Sequence, residues 1–355
     1  MSRSHLRAAV AFAAVFALAA GLASAQSPAV NPKEASQATA EQQRQVTQPL
    51  NNAPVWKEIR SGEQQITTVR GRETNVLIQP QGQTWRALRV PIIFWGGVIL
   101  ALAVGGLAVF YLWRGSMAVA RKPGDRVIQR FSPMDRYAHW TVAITWVTLA
   151  ITGLILSLGK AVLLPLIGYT LFSFLATLAK TLHNFIGPVL IIGVPWLFIR
   201  FVRDNGISGE DIRWFMGIKG YFTGHEHPSG KFNAGEKLVF WLVLVLASTV
   251  LIVTGLILLF PNFDQLRSTM QVANVIHMVA AYLSIALALV HIYLGTLGMD
   301  GAYRAMRDGY VDASWAEHHH LLWYKDVVAG KAHEKFVVPG EPPQAERAVP
   351  RTRPA

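Results

Sequence analysis

Two histidines stand 14 residues apart on one apolar stretch, His277 and His291. At about 100° and 1.5 Å per residue, a helix carries the second to about 40° short of four full turns and about 21 Å along its axis. Both imidazoles then face nearly the same way, one near each side of a membrane. His139 and His183 lie at the ends of two other apolar stretches. Imidazole is an axial ligand of haem iron, so four such groups would hold two stacked haems and conduct electrons across a bilayer. A lone intramembrane histidine more often bonds a polar neighbour. Four at two depths form a different pattern, because unpaired polar groups in hydrocarbon are costly and rare.

The chain that must position them has 355 residues, 52% of them apolar and 15% charged. Soluble domains carry roughly 25% charged residues. The deficit comes from long uncharged runs, which marks an integral membrane protein. There is no cysteine, which excludes thiolate-held iron–sulfur clusters, covalent c-type haem and disulfides. Haem would therefore be b-type, and an iron–sulfur donor would be another subunit. The net charge of +12 sits in basic loops between apolar segments, where membrane topology explains it better than nucleic acid does.

Residues 1–25 read as a secretory signal. Arg3 and Arg7 start it, Val10 to Ala20 form its apolar run, and Ala23-Ser24-Ala25 a cleavage site. An uncleaved anchor is the alternative. Residues 26–89 follow as a mostly extended periplasmic segment, since Gln26 to Gln83 is too poor in large apolar groups to fold well alone.

Five spans of roughly 20 apolar residues are expected. They run at about Pro91 to Trp113, Tyr137 to Leu158, Thr181 to Val202, Leu238 to Phe260 and Met270 to Met299. The stretch Ala161 to Leu178, which contains Pro165 and Gly168, reads as an interfacial or re-entrant piece on the outer side. The loops Arg114 to Arg136 and Arg200 to Lys237 and the tail after Asp300 are basic, whereas Pro261 to Thr269 carries only Arg267 and Asp264. The positive-inside rule then places the N-terminal segment in the periplasm and the C-terminus in the cytoplasm of a bacterial inner membrane.

Ile151-Thr-Gly-Leu-Ile-Leu156 echoes Val253-Thr-Gly-Leu-Ile-Leu258, and Leu182-His183 echoes Ile276-His277. Two similar helix pairs would pack as a four-helix bundle, with small residues at close approaches. The expected fold is all-α: an integral membrane four-helix bundle able to hold two b-type haems, with an extra N-terminal transmembrane helix at 90–114. Depth pairs His139 with His291 near the cytoplasm and His183 with His277 toward the outside. Lys180 and Arg136 stand beside ligand positions, as haem-propionate partners or as snorkelling interface anchors. His318, His319 and His320, with His225 and His227, are read as solvated rather than as a zinc site.

Lys231-Phe-Asn-Ala-Gly-Glu-Lys237 precedes the fourth span at the depth of the inner pair. Asn233 would hydrogen-bond a quinone carbonyl, Gly235 would allow close approach, and Glu236 would relay protons. The same residues also suit a helix start, with Asn233 or Ala234 as cap and Glu236 in the first turn. The two readings stand level.

Phe131-Ser-Pro-Met-Asp-Arg-Tyr-Ala-His-Trp140, Lys231 to Lys237, the His277–His291 spacing and Trp315-Ala-Glu-His-His-His320 together resemble the gamma subunit of respiratory formate dehydrogenase, a dihaem cytochrome b. The resemblance covers about Ile128 to Lys325 and implies an all-α, integral membrane four-helix dihaem cytochrome b bundle at 128–325, followed by a cytoplasmic tail at 326–355. The aspartate–arginine–x–x–histidine–tryptophan start is shared with hydrogenase and thiosulfate-reductase cytochromes, which are the nearest alternatives. A haem-free membrane anchor and a histidine-based transporter are alternatives of other classes.

The resemblance implies two haem b groups ligated by His139, His183, His277 and His291. It also implies a menaquinone or ubiquinone site at Asn233, Gly235 and His291. An iron–sulfur beta subunit would pass electrons from a molybdenum- or tungsten-containing catalytic alpha subunit, through both haems, to quinone at the cytoplasmic side. Formate oxidation itself would belong to the alpha subunit. The signal peptide, the 26–89 segment and the leading span depart from the family pattern.

Overall fold

The structure is a computed structural model that describes residues 60–61, 80–117, 126–223, 227–263 and 265–337. The expected signal peptide and most of the 26–89 segment lie outside the described residues. Among the described residues, five helices are long and apolar enough to cross a membrane. They are α1 (Pro80–Arg114), α2 (Pro133–Val162), α3 (Leu164–Ile186), α6 (Ala234–Leu259) and α7 (Arg267–Gly298). Between them come α4 (Val189–Phe201) and α5 (Gly209–Met216), and after them α8 (Ala313–His319) and α9 (Leu321–Val328). Large apolar side chains such as Ile144, Phe174, Phe185 and Ile199 stand exposed along these helices, as contact with lipid tails demands.

The elements depart from the sequence expectation in three places. Residues 80–89, expected as extended, form the first turns of α1. The stretch read as a re-entrant piece is helical and belongs to α3, which runs through His183 to Ile186. It is kinked at Gly168, whose φ of 74° and ψ of 172° are not helical, and it ends before Gly187-Pro188, inside the segment expected as one continuous third span. Pro188 offers no N–H to the carbonyl one turn back, and its ring crowds that carbonyl. Finally, the folded domain extends past 325. Phe336–Val337, within the stretch expected as a cytoplasmic tail, is a strand.

The chain divides into two compact units, each assembled from three stretches of sequence. The first draws on Met1–Ala108, Thr145–Ile191 and Leu246–Leu287. In it, Trp85 Nε1 donates to Asn274 Oδ1 at 3.0 Å, and the Tyr282 hydroxyl donates to Ser157 Oγ at 3.0 Å. These bonds fasten α1 to α7 and α7 to α2, and they satisfy polar groups that hydrocarbon would penalise.

The second unit draws on Val109–Ile144, Ile192–Val245 and Ala288–Ala355. Its three short strands, β1 (Val127–Gln129), β2 (Tyr310–Asp312) and β3 (Phe336–Val337), form an antiparallel sheet in the order β2-β1-β3. Ile128 faces Val311 on one side and Phe336 on the other, and it is fully buried. The aromatic rings of Phe131, Phe201 and Phe232 pack together in the same unit.

Candidate functional site

The four expected histidines come together as the two expected pairs. His183 and His277 meet in the first unit with ring centres 6.3 Å apart, and His139 and His291 meet in the second unit, also at 6.3 Å. An imidazole nitrogen binds a metal at about 2 Å and the ring centre lies about 1 Å behind it, so two rings gripping one iron from opposite sides have centres about 6 Å apart. Both pairs fit that spacing, and imidazole pairs are a suitable donor set for haem b.

The first pair is built by the internal repeat. Thr152 and Thr254 occupy the same position in the two copies, and each meets a histidine. Thr152 Oγ1 lies 2.8 Å from His183 Nδ1, and Thr254 Oγ1 lies 2.9 Å from His277 Nδ1. The next residue in each copy is glycine. A Cβ on Gly153 would come within 3.3 Å of His183 Cε1, and one on Gly255 within 3.4 Å of His277 Cε1. The threonine thus binds the ring while the glycine makes room for it. A cavity of about 310 Å³ opens beside the pair, lined by both glycines, both histidines, Tyr282 and Arg89.

The second pair is positioned by the run Phe131 to Trp140. Asp135 accepts from the Ser132 backbone and hydroxyl at 2.9 and 2.7 Å, closing the start of α2, and takes Arg200 Nε at 2.6 Å. Arg136 donates to the Arg307 carbonyl at 2.7 Å and Trp140 Nε1 to the Met306 carbonyl at 3.0 Å. Aspartate, arginine and tryptophan therefore clamp the helix end that carries His139. Nδ1 of His139 itself is buried and has no hydrogen-bond partner among the described residues.

The segment before α6 is a helix start in detail. Asn233 Oδ1 accepts from the Glu236 backbone N–H at 2.9 Å, and Glu236 Oε2 accepts from the Asn233 N–H at 2.9 Å. This reciprocal cap satisfies two donors that a helix leaves orphaned. A Cβ on Gly235 would meet the Trp214 ring at 3.3 Å, so the close neighbour of that glycine is a tryptophan of α5. Arg130, 4% exposed, donates to both oxygens of Glu236 at 3.0 and 3.1 Å and to the Lys231 carbonyl at 2.6 Å. Its guanidinium is sandwiched among the rings of Phe131, Phe232 and Trp315.

His319 and His320, expected at a solvated surface, are buried. His320 Nδ1 lies 2.8 Å from the Gly230 carbonyl, and its Nε2 is 4.0 Å from Glu236. Burial, aided by the Arg130 charge, pushes the His320 imidazole down to about 3. The triple-histidine run therefore anchors the loop ahead of α6. His318 alone of the three is exposed, and His225 lies outside the described residues.

Sequence reading passed over four residues that the structure brings to these sites: Thr152, Thr254, Arg89 and Arg130. The repeat carried a signal for the threonines, since each copy pairs Thr-Gly with a histidine on another helix. Lys180 is exposed and does not line the cavity beside His183; Arg89 is the cationic residue there.

A family model described as prokaryotic cytochrome b561 matches residues 130–309, a segment that includes all four paired histidines. The nitrate-inducible formate dehydrogenase cytochrome b556(Fdn) subunit of Escherichia coli (strain K12) is 31% identical over 218 residues, which cover 59% of this chain and 96% of that protein. The formate dehydrogenase cytochrome b556(fdo) subunit of the same strain is 32% identical over 205 residues, covering 56% and 93%. The formate dehydrogenase cytochrome b556 subunit of Haemophilus influenzae is 31% identical over 219 residues, covering 60% and 88%. The chain, a multi-pass membrane protein whose helices carry paired histidines, thus belongs to the prokaryotic cytochrome b561 family.

Proposed function

We propose that this protein is the cytochrome b (gamma) subunit of a membrane-bound formate dehydrogenase, carrying electrons from a periplasmic iron–sulfur beta subunit to quinone at the cytoplasmic side. Formate oxidation would reside in a catalytic alpha subunit. The observation that carries this reading is the pairing of four histidines at a ring spacing suited to one iron each. The names of the relatives supply the complex. Basic loops on one side of the spans support a periplasmic N-terminal segment and a cytoplasmic C-terminus in the inner membrane.

His183 and His277 would hold one haem b, and His139 and His291 a second. Each haem supplies, when bound, an iron that takes and returns one electron. The chain's own residues do the rest. Imidazole nitrogens would hold the irons, and the surrounding apolar helices would exclude water. Arg89 lines the first site with a positive charge suited to a propionate.

At the second site, Asn233 and His291 would face quinone, with Gly235 in the same turn. The Oδ1 of Asn233 is engaged in capping, so its amide N–H groups are the donors left to meet a quinone carbonyl. Glu236, gripped by Arg130, stays charged at the mouth of this turn. Electron movement inward opposes the membrane potential at about 2.3 kcal/mol per 100 mV, a cost that a strong reductant such as formate covers.

The test uses the whole complex with His183→Ala. The expected result is loss of formate-to-quinone electron transfer to background, while the catalytic partner still reduces a soluble dye with formate. Undiminished quinone reduction by this variant contradicts the proposal.

A further inference from the structure

We propose that Thr152 and Thr254 are positioning residues of the His183–His277 site, which take the Nδ1–H of each ring, leave each Nε2 lone pair to iron, and hold that iron at a lower reduction potential than one bound by His139 and His291. The inference rests on the haem reading above.

The protonation of both rings follows from what each neighbour can donate. A threonine hydroxyl has one proton. Thr152 Oγ1 lies 2.8 Å from the Thr148 carbonyl, and Thr254 Oγ1 lies 2.6 Å from the Val250 carbonyl. Carbonyls only accept, so each hydroxyl proton is committed to the helix backbone. Turning it toward the imidazole would leave two lone pairs facing each other at those distances. The ring nitrogen must therefore be the donor, and Nδ1 carries the proton.

An imidazole whose N–H is given to an acceptor is more electron-rich, binds oxidised iron better and so lowers the potential. The helix repeat supplies this twice at one site. The other site differs, since His139 Nδ1 is buried with no hydrogen-bond partner among the described residues. The difference favours electron flow from the threonine-held pair toward His139 and His291.

The experiment is an optical redox titration and a pyridine haemochrome count on purified protein bearing Thr152→Val with Thr254→Val, beside Thr152→Ser with Thr254→Ser. The component lost in His183→Ala identifies the threonine-held site. In the valine protein that component should rise at least threefold in its reduction equilibrium constant, about 30 mV at 59 mV per tenfold for one electron, or be lost from the haem count. The serine protein should match wild type in both. An unchanged component in the valine protein, a serine protein that behaves like valine, or a shift confined to the other component overturns the proposal. A wild-type preparation without b-type bands would instead overturn the haem reading, before any threonine is changed.

Discussion

Asn233, proposed to meet quinone, is a helix cap in the structure. Its side chain completes a capping box with Glu236, and it is buried. Asn233→Ala removes the cap and should cost about 1 kcal/mol of stability. Asn233→Asp keeps a capping oxygen but deletes the amide N–H donors. In the complex, the aspartate variant should keep near wild-type stability while quinone reoxidises the formate-reduced protein more slowly. Unchanged reoxidation kinetics in that variant would leave Asn233 with the capping role alone.

His320 yields a prediction of a different kind. Its imidazole stays neutral in the folded protein down to about pH 3 but titrates near 6.5 when unfolded. Below pH 6.5 the unfolded state binds a proton that the folded state refuses, so stability falls with acid, by at most about 1.4 kcal/mol per pH unit. Burial raises the Glu334 carboxyl, yet Lys231 outweighs it and the net value lies below 4.5, so this carboxylate adds acid sensitivity only at lower pH. Denaturation of detergent-solubilised protein between pH 6.5 and 4.5 should be less acid-sensitive in His320→Gln than in wild type. Equal pH slopes would contradict the assignment.

At the scale of elements, helix identity and the histidine pairing were legible, because both follow from long-range periodicity. Runs of about 20 apolar residues announce a span, and a 14-residue spacing fixes a face. Breaks were less legible. The stretch with Pro165 and Gly168 read as an interfacial or re-entrant piece, whereas the structure makes it helical on both sides of a kink at Gly168, φ 74° and ψ 172°. The helix also ends before Gly187-Pro188, inside an apolar run that was read as one continuous span.

The burial of His319 and His320 was missed for a related reason. Polar clusters read as solvated unless their partners are known, and here the partners, Gly230 and Ser229, lie 90 residues away in sequence. The repeat was read for helix packing and for the matched depth of His183 and His277, but not for its threonines, which meet the histidines, or for glycines that make room for them. Adding a side chain at either glycine therefore tests the element. Gly153→Val should push its branched carbon into the His183 ring and weaken haem retention, by about the 10–100-fold that loss of ligand support typically costs. Full haem content and an unaltered spectrum in this variant would show that the close approach is not needed.

At the scale of the whole molecule, the family match spans residues 130–309, whereas α1 precedes it. That leading helix is more than an appendage, since Trp85 bonds to Asn274 and Arg89 lines the cavity beside His183 and His277. Composition pointed to a membrane protein and to b-type haem because charge depletion and the lack of cysteine act over the entire chain. It was silent on what α1 contributes, since one arginine among 33 basic residues carries no signal until a fold places it.

Two imidazole pairs that each grip one haem b would give the protein a fixed haem content. A pyridine haemochrome assay on the matured, iron-supplied protein measures it most directly. Two haems per polypeptide are expected in wild type and one in His183→Ala or His139→Ala. A colourless preparation, or a haem count unchanged by both substitutions, would contradict it.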